Sequence, residues 1–472
     1  MAKKSLEEIR EYMAGLVKTA SAAQKKFETD YQDQRSVDEV VRAIGMKIYF
    51  NGKQLAGGAI GETQMGNVQG KVLKLKTVAL KQWNYMKGKP SVGYLPQDPA
   101  EPGVRKMAKP MGVIGCVMPS TNPIATAVGN AMMALKCRNA VIIAPHPASA
   151  AASMATVDMM RDALAEIGAP VDLVQGIDSE WASIDATNEM LAQCDVNIAT
   201  GGAAMVKSVY SAGRPAFGVG QGNCQDIVDD YDDYDKIASM TIGNRAFDVG
   251  VPCTGDQTVI IPEEKEEVYK TAAVKAGAYL IEDPETIKKL EHLIFPDPQT
   301  GAINRKVVGR TPKMLGEMIG LEIDEKYPVI VLKNQAKGTE SLLCKEILCP
   351  IIRYTTYKNF EEAVDIALAN LEYEGAGHSS AIWSYNQEHI ESVAKRIPVG
   401  RFHINQHTRG FDNAVPATIT IGCGSWGNNS ISENLEYYHL MNITRVSTTL
   451  PNIRPTGDAD WDDFEIFKVT VD

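Results

Sequence analysis

The chain has 472 residues, 44% hydrophobic and 23% charged, with a net charge of −11. That length makes two or three ordinary domains, and the acidic balance gives no support to a nucleic-acid or anionic-membrane partner. No apolar run reaches the roughly 18 residues that span a bilayer, and the eight cysteines form no CxxC pair and no Cys/His cluster at zinc spacing, so neither a membrane nor a metal is expected.

The opening stretch MAKKSLEEIREYMAGL reads as an amphipathic helix without the apolar core and cleavage site of a signal peptide. The expected location is cytoplasmic. Residues 1–50 and 60–87 read mainly as helices from apolar recurrence at three and four. Ser91 to Gly112 differs: two short extended runs flank a Pro-rich turn, the pattern of a projecting hairpin. From Gly112 to Asp230, the apolar runs GVIGCVMP, AVIIAPHP, VDLVQGI, VNIATGG and FGVGQGN alternate with helix-like stretches such as Ile124–Leu135 and Ala150–Ile167. That alternation predicts a parallel sheet covered on both faces. Its ligands are expected at the carboxyl ends of the strands, where MPSTNP, APHP and ATGG fall. A second alternating region after Cys253 includes QTVIIPE, a helix over Glu263–Gly277, PVIVLKN and FEEAVDIALANLEYEG, and predicts a second α/β domain. From Ile443 a strand is followed by polar, Pro-containing chain, placed against the hairpin of a neighbouring subunit.

Several motifs carry chemistry, each with an ordinary reading beside it. GCGSWG at Gly422–Gly427 spells GxGxxG but lacks the preceding strand, following helix and later acid of a dinucleotide fingerprint. FDVGVPCTGDQ presents Cys253 on a bent backbone before a strand, and taken alone Cys253 reads more readily as a packing cysteine. Asn122 in MPSTNP is placed to donate to an oxyanion, or to serve as a turn-former beside Pro123. His378 in EGAGHSS sits in a Gly-bounded loop, where a lone histidine is commonly a capping or surface residue.

Together with IIAPHP, CKEILCP, IATGGAAMVKSVYSAGRPAFGVGQGN and IGCGSWGNNSISENL, these blocks resemble the aldehyde dehydrogenase superfamily, most of all its CoA-acylating branch. The resemblance runs from about residue 20 to about 445. It implies an α/β fold with a Rossmann-type cofactor domain (1–90 and 112–241, with 425–442 returning to it), an α/β catalytic domain (242–424), and an oligomerisation arm and tail (91–111 and 443–472). It implies that Cys253 attacks an aldehyde as a thiolate and carries the acyl thioester. Asn122 and the Cys253 N–H would hold the oxyanion. His378 would assist the incoming thiol, and Glu346 would hold the nicotinamide ribose. Pro119, Ser120, His146, Pro147, Ser149, Gly201, Gly202 and Gly220 would line the cofactor.

One departure bears on the acyl acceptor. Hydrolytic members carry a glutamate before the nucleophile that activates water, and Val219 stands at that place. Valine takes no proton, so the acyl-enzyme is expected to await the thiol of coenzyme A. Around APHPASAAAS there is no acid to repel a 2′-phosphate and no Lys or Arg to attract one, while Ser149 offers a donor; NADP is expected slightly ahead of NAD. His407 and Arg409, in INQHTRGFDNAVPAT, put donor or cationic capacity near the substrate mouth, suited to an anionic aldehyde unless Arg409 is spent on an acid such as Asp412. The expected order is sulfoacetaldehyde, then succinate semialdehyde, then acetaldehyde or propionaldehyde. The competing classes are a hydrolytic aldehyde dehydrogenase and a catalytically silent scaffold of the same fold. A homodimer or homotetramer is expected from the arm.

Overall fold

The computed structural model describes residues 4–409 and 415–449, apart from the side chain of Ala203. The hairpin is present: β1 (Gly93–Tyr94) pairs antiparallel with β2 (Val104–Pro110). The chain then enters a sheet of β3 (Val113–Val117), β4 (Ala140–Ala144), β5 (Val174–Gly176), β6 (Val196–Thr200) and β7 (Ala216–Val219). Its neighbours are all parallel, in the order β5-β4-β3-β6-β7. β3 and β4 are buried at every position, as unbroken apolar strands are when both faces are covered. The helix Pro123–Lys136, which leaves β3, is buried along its whole length, with the long helix Gln34–Thr63 packed across it.

Strand order reverses at β3, with β4 and β5 on one side and β6 and β7 on the other. A parallel sheet splays its connections apart at such a point and opens a crevice at the strand ends. Pro119, Ser120 and Asn122 follow β3 there, and Gly201 and Gly202 follow β6.

A second, seven-stranded parallel sheet contains β8 (Cys224–Val228), β9 (Asp256–Pro262), β10 (Ala278–Ile281), β11 (Val329–Lys333), β12 (Ile351–Tyr357), β13 (Gly377–Trp383) and β14 (Val399–Ile404). Its order is β10-β11-β12-β9-β8-β13-β14. The division expected at residue 241 is corrected. β8 and the helix Tyr234–Ala246 build the second core, through Val228, Tyr234, Ile237, Ala238 and Ile242. The chain therefore crosses between sheets at Gly220–Asn223, inside what the sequence shows as one run, FGVGQGN. Near the end it returns, and Leu435, Tyr437 and Leu440 pack into the first core.

The tail also differs from expectation. β15 (Met441–Ser447) pairs antiparallel with β2 of its own chain, from Met441 opposite Pro110 to Ser447 opposite Val104. It leaves the body beside the residue where β2 enters it, so the hairpin edge is met without a neighbouring subunit. The expected chain beyond it, 450–472, lies outside the described residues. Among the described residues no helix is long and apolar enough to cross a membrane.

Candidate active site

The loop before β9 is turned back on itself. Asp248 and Val249 both have positive φ, 47° and 56°, a region costly for a β-branched residue such as Val249. The turn is held by a buried charge cluster. Asp248 accepts from Lys71 Nζ at 2.9 Å, from Lys74 Nζ, and from the Asn67 N–H at 2.9 Å. Both lysines come from the helix Val68–Thr77, which reaches the loop because Gly70 has no Cβ; one would meet the Asp248 Cα at 2.8 Å.

The strained turn presents Cys253. It alone of the eight cysteines is not fully buried. His378 Nε2 lies 3.2 Å from its Sγ. The loop expected around His378 is corrected, because His378 is the second residue of β13 and fully buried. Gly377 before it has φ +87°, and a Cβ there would come 1.8 Å from the Cys423 carbonyl oxygen. A glycine is thus required to bring His378 in under the sulfur.

The pair rests uncharged. Burial, then Glu346 and Cys423, push the Cys253 thiol up to about 12, against the opposing pull of Arg401 and Lys74. Burial, then Arg401 and His403, hold His378 well below the ordinary histidine range. A thiol beside a neutral imidazole can pass its proton across one hydrogen bond as the sulfur attacks.

Asn122 is the N-cap residue of the helix Pro123–Lys136, but its side chain makes no capping bond. Its Oδ1 instead accepts from Lys74 Nζ. An ammonium only donates, so the amide is oriented with its NH2 turned away from Lys74 and available to another acceptor. The turn-former reading misses this contact.

Glu346 is buried, with its carboxyl pushed up to about 8 by burial and then by Glu374. Its Oε1 accepts from the Gly222 N–H at 2.9 Å. Gly222 abuts Cys253, since a Cβ there would meet the Cys253 carbonyl oxygen at 2.1 Å. Gly220 lies on the same crossover, and Val219 ends β7 as a buried side chain.

The strand ends suit a dinucleotide. Gly202 caps the helix Ala203–Ser211 with no side-chain bond to its first turn, and a Cβ on Gly202 would meet nothing within 4 Å. A nine-residue helix thus opens its N-terminus toward the crevice, an arrangement that receives phosphate oxygens. At the β4 end, His146 Nδ1 accepts from the Ala148 N–H at 3.1 Å and starts the short turn Pro147–Ser149. Two expectations change here. Ser149 is buried and donates its hydroxyl to the His146 carbonyl at 3.3 Å, so it is not an open phosphate donor. Both signs of charge also reach this strand end from distant sequence. Glu62 accepts from Ala151 N–H at 3.0 Å and Ala152 N–H at 2.7 Å, and His146 is pushed down by burial and then by the nearby charge of Arg305.

His407 accepts the Arg409 N–H on Nδ1 at 3.3 Å. The Arg409 guanidinium lies 5.1 Å from the centroid of Phe247, six positions before Cys253. Asp412 lies outside the described residues. Lys74, Asp248, Glu62, Arg305 and Arg401 all escaped the sequence reading; the only sequence trace was the Lys71/Lys74 pair, one turn apart on a helix.

Comparison with known proteins agrees with this geometry. Residues 17–311 and 314–444 match the profile of the aldehyde dehydrogenase family. A succinate-semialdehyde dehydrogenase (acetylating) of Clostridium kluyveri is 43% identical over 437 residues, spanning 91% of this chain and 94% of the relative. A sulfoacetaldehyde dehydrogenase of Acholeplasma sp is 34% identical over 457 residues, spanning 95% and 93%. The crystal structure of an acetylating aldehyde dehydrogenase from Geobacillus thermoglucosidasius superimposes with a TM-score of 0.91 at 31% identity, covering 96% of this chain and all of that one. The chain belongs to the aldehyde dehydrogenase family, and its place there is among the acylating enzymes.

Proposed function

We propose that this enzyme oxidises a short anionic aldehyde and passes the acyl group from Cys253 to the thiol of coenzyme A. The observation that carries the proposal is the 3.2 Å contact of His378 Nε2 with Cys253 Sγ. Cys253 gives its proton to His378 as the sulfur bonds to the aldehyde carbon. The amide of Asn122, oriented by Lys74, receives the oxyanion together with the Cys253 N–H. A nicotinamide held at the ends of β3 and β6 would supply the hydride acceptor, and the proton on His378 is released to solvent. The product is an acyl thioester on Cys253. His378 then accepts the proton of the coenzyme A thiol and returns it to the departing Cys253 sulfur, so atoms and charge balance. Val219 offers no base for water, and Glu346 Oε1 is engaged by Gly222.

Pro119, Ser120, Gly201, Gly202, Gly220 and Glu346 would hold the dinucleotide, with His146 and Pro147 at the adenosine end. Glu62 and Arg305 oppose each other there, which fits use of both NAD and NADP rather than the lean to NADP. The test is product analysis. With aldehyde, NAD(P)+ and coenzyme A, the expected product is acyl-CoA; without coenzyme A, acid is expected only in trace. Comparable acid formation without coenzyme A would overturn the proposal in favour of a hydrolytic enzyme.

Arg409 is suited to a carboxylate or sulfonate because its guanidinium meets such groups with two hydrogen bonds. Identity to the Clostridium kluyveri relative moves succinate semialdehyde ahead of sulfoacetaldehyde, the first choice on the loop alone. Arg409→Ala should raise KM for either anionic aldehyde by about 10-fold or more, the scale of a charge-assisted bond lost, and leave acetaldehyde nearly unchanged. Equal effects on both would remove Arg409 from the substrate site.

Lys74 yields a separate prediction. Asn122→Ala should lower kcat by about 10²-fold, as loss of an oxyanion donor does. Lys74→Met should lower it by about 10-fold, because Asn122 then turns freely while Lys71 still holds Asp248. Steady-state kcat, read beside a thermal melt, separates that effect from unfolding.

A further inference from the structure

Cysteine–histidine pairs commonly set an acid or amide behind the ring to support the imidazolium. Here His378 Nδ1 has no hydrogen-bond partner among the described residues. What lies behind the pair is a cation. Arg401 is 4% exposed and sits on β14, directly opposite Ser379 of β13. Its five hydrogen bonds to oxygen all reach neutral acceptors, and the Cys423 thiol is a further partner. Nη2 donates to the His378 carbonyl at 2.6 Å and the Gly377 carbonyl at 3.3 Å. Nη1 donates to the Gly422 carbonyl at 2.9 Å and Asn434 Oδ1 at 3.3 Å, and Nε to Ser379 Oγ at 3.1 Å. No carboxylate among the described residues forms an ion pair with it. A guanidinium taken from water without an anion is costly to keep, so its retention calls for a role.

We propose that Arg401 is a positioning residue of the acyl-transfer step, clamping the backbone that carries His378 and laying a fixed positive charge behind the Cys253–His378 pair. The clamp ties β13 to the Gly422 segment, so the ring enters from a backbone fixed on two sides. The charge acts on both partners. It disfavours an imidazolium, which keeps His378 a proton acceptor, and it favours negative charge on Cys253. The other groups facing the pair are Glu346, Cys423, Cys224, Lys74 and His403, and the thiols facing Arg401 are Cys423, Cys253 and Cys224. Loss of the charge therefore moves both titrations toward higher pH.

The proposal rests on the acylating reading, and its test includes a readout independent of any acyl acceptor. Arg401→Met and Arg401→Lys are compared with the parent enzyme for iodoacetamide alkylation of Cys253 against pH, and for kcat/KM of coenzyme A against pH. In R401M, alkylation at a fixed pH should slow about tenfold, the equivalent of one pKa unit. The acid limb of the coenzyme A profile should move to higher pH. In R401K both profiles should keep the parent's position while kcat falls several-fold, since the charge remains and most of the clamp is lost. An R401M enzyme that is slower but has unshifted profiles would reduce Arg401 to a packing residue and overturn the proposal. If R401M does not fold, R401K decides alone: displaced profiles or an unchanged kcat would overturn it. Failure of the parent enzyme to form acyl-CoA would instead remove the acylating reading and leave the alkylation result standing.

Discussion

Cys253→Ala is expected to abolish turnover, by at least about 10⁴-fold, as removal of a covalent nucleophile does. The thioester has nowhere else to form: the other seven cysteines are buried. Absorbance at 340 nm with aldehyde, NAD(P)+ and coenzyme A reads the loss directly. The variant should still bind dinucleotide, because the β3 and β6 ends are built on the other sheet, and a melt shifted by added NAD(P)H would show it. Substantial turnover in Cys253→Ala would mean that the strained loop serves another purpose.

The second large effect is expected at His378. His378→Ala should slow transfer to coenzyme A by about 10²–10⁴-fold, the usual contribution of a placed general base. Oxidation of aldehyde should suffer too, because Cys253 rests as a thiol and loses its proton acceptor. The two steps separate in a single turnover. Raising the pH restores acylation, since hydroxide draws the proton from Cys253, whereas an acyl-enzyme then accumulates that mass analysis finds on the Cys253 peptide. The parent enzyme gives the complementary pH result. His378 must be neutral to act, and its environment holds it neutral well below the usual histidine range. The coenzyme A step should therefore keep its rate as pH falls through 6.5, the ordinary histidine value, and lose it only further down. A half-loss near that value would show that the ring is solvated and the buried geometry is not that of the working enzyme.

The alternating apolar runs made both parallel sheets legible, because strands buried on two faces must be continuous in hydrophobicity. Cys253 and Asn122 were legible as motifs, but on local pattern alone each had an ordinary reading. A long-range contact bears on the second: Asn122 makes no capping bond to its helix, and Lys74, 48 positions away, takes its oxygen. Glu62 reaches Ala151 and Ala152 across 89 and 90 positions. No local pattern announces such contacts. The misplaced sheet boundary has a different cause. Parallel strands usually have a helix between them, and β7 and β8 have only Gly220–Asn223, so two strands of different sheets read as one. The glycines around His378 read as a loop because flanking glycines mark turns far more often than they mark close backbone approach.

That four-residue crossover has a mechanical consequence. It links the five-stranded sheet to the seven-stranded one, and at Gly222 it touches both the Cys253 carbonyl and the Glu346 carboxyl. Were one sheet to rock against the other, so short a link would carry the movement into the backbone of Cys253. A residue inserted between Gly220 and Asn223 should therefore slacken the backbone around Cys253.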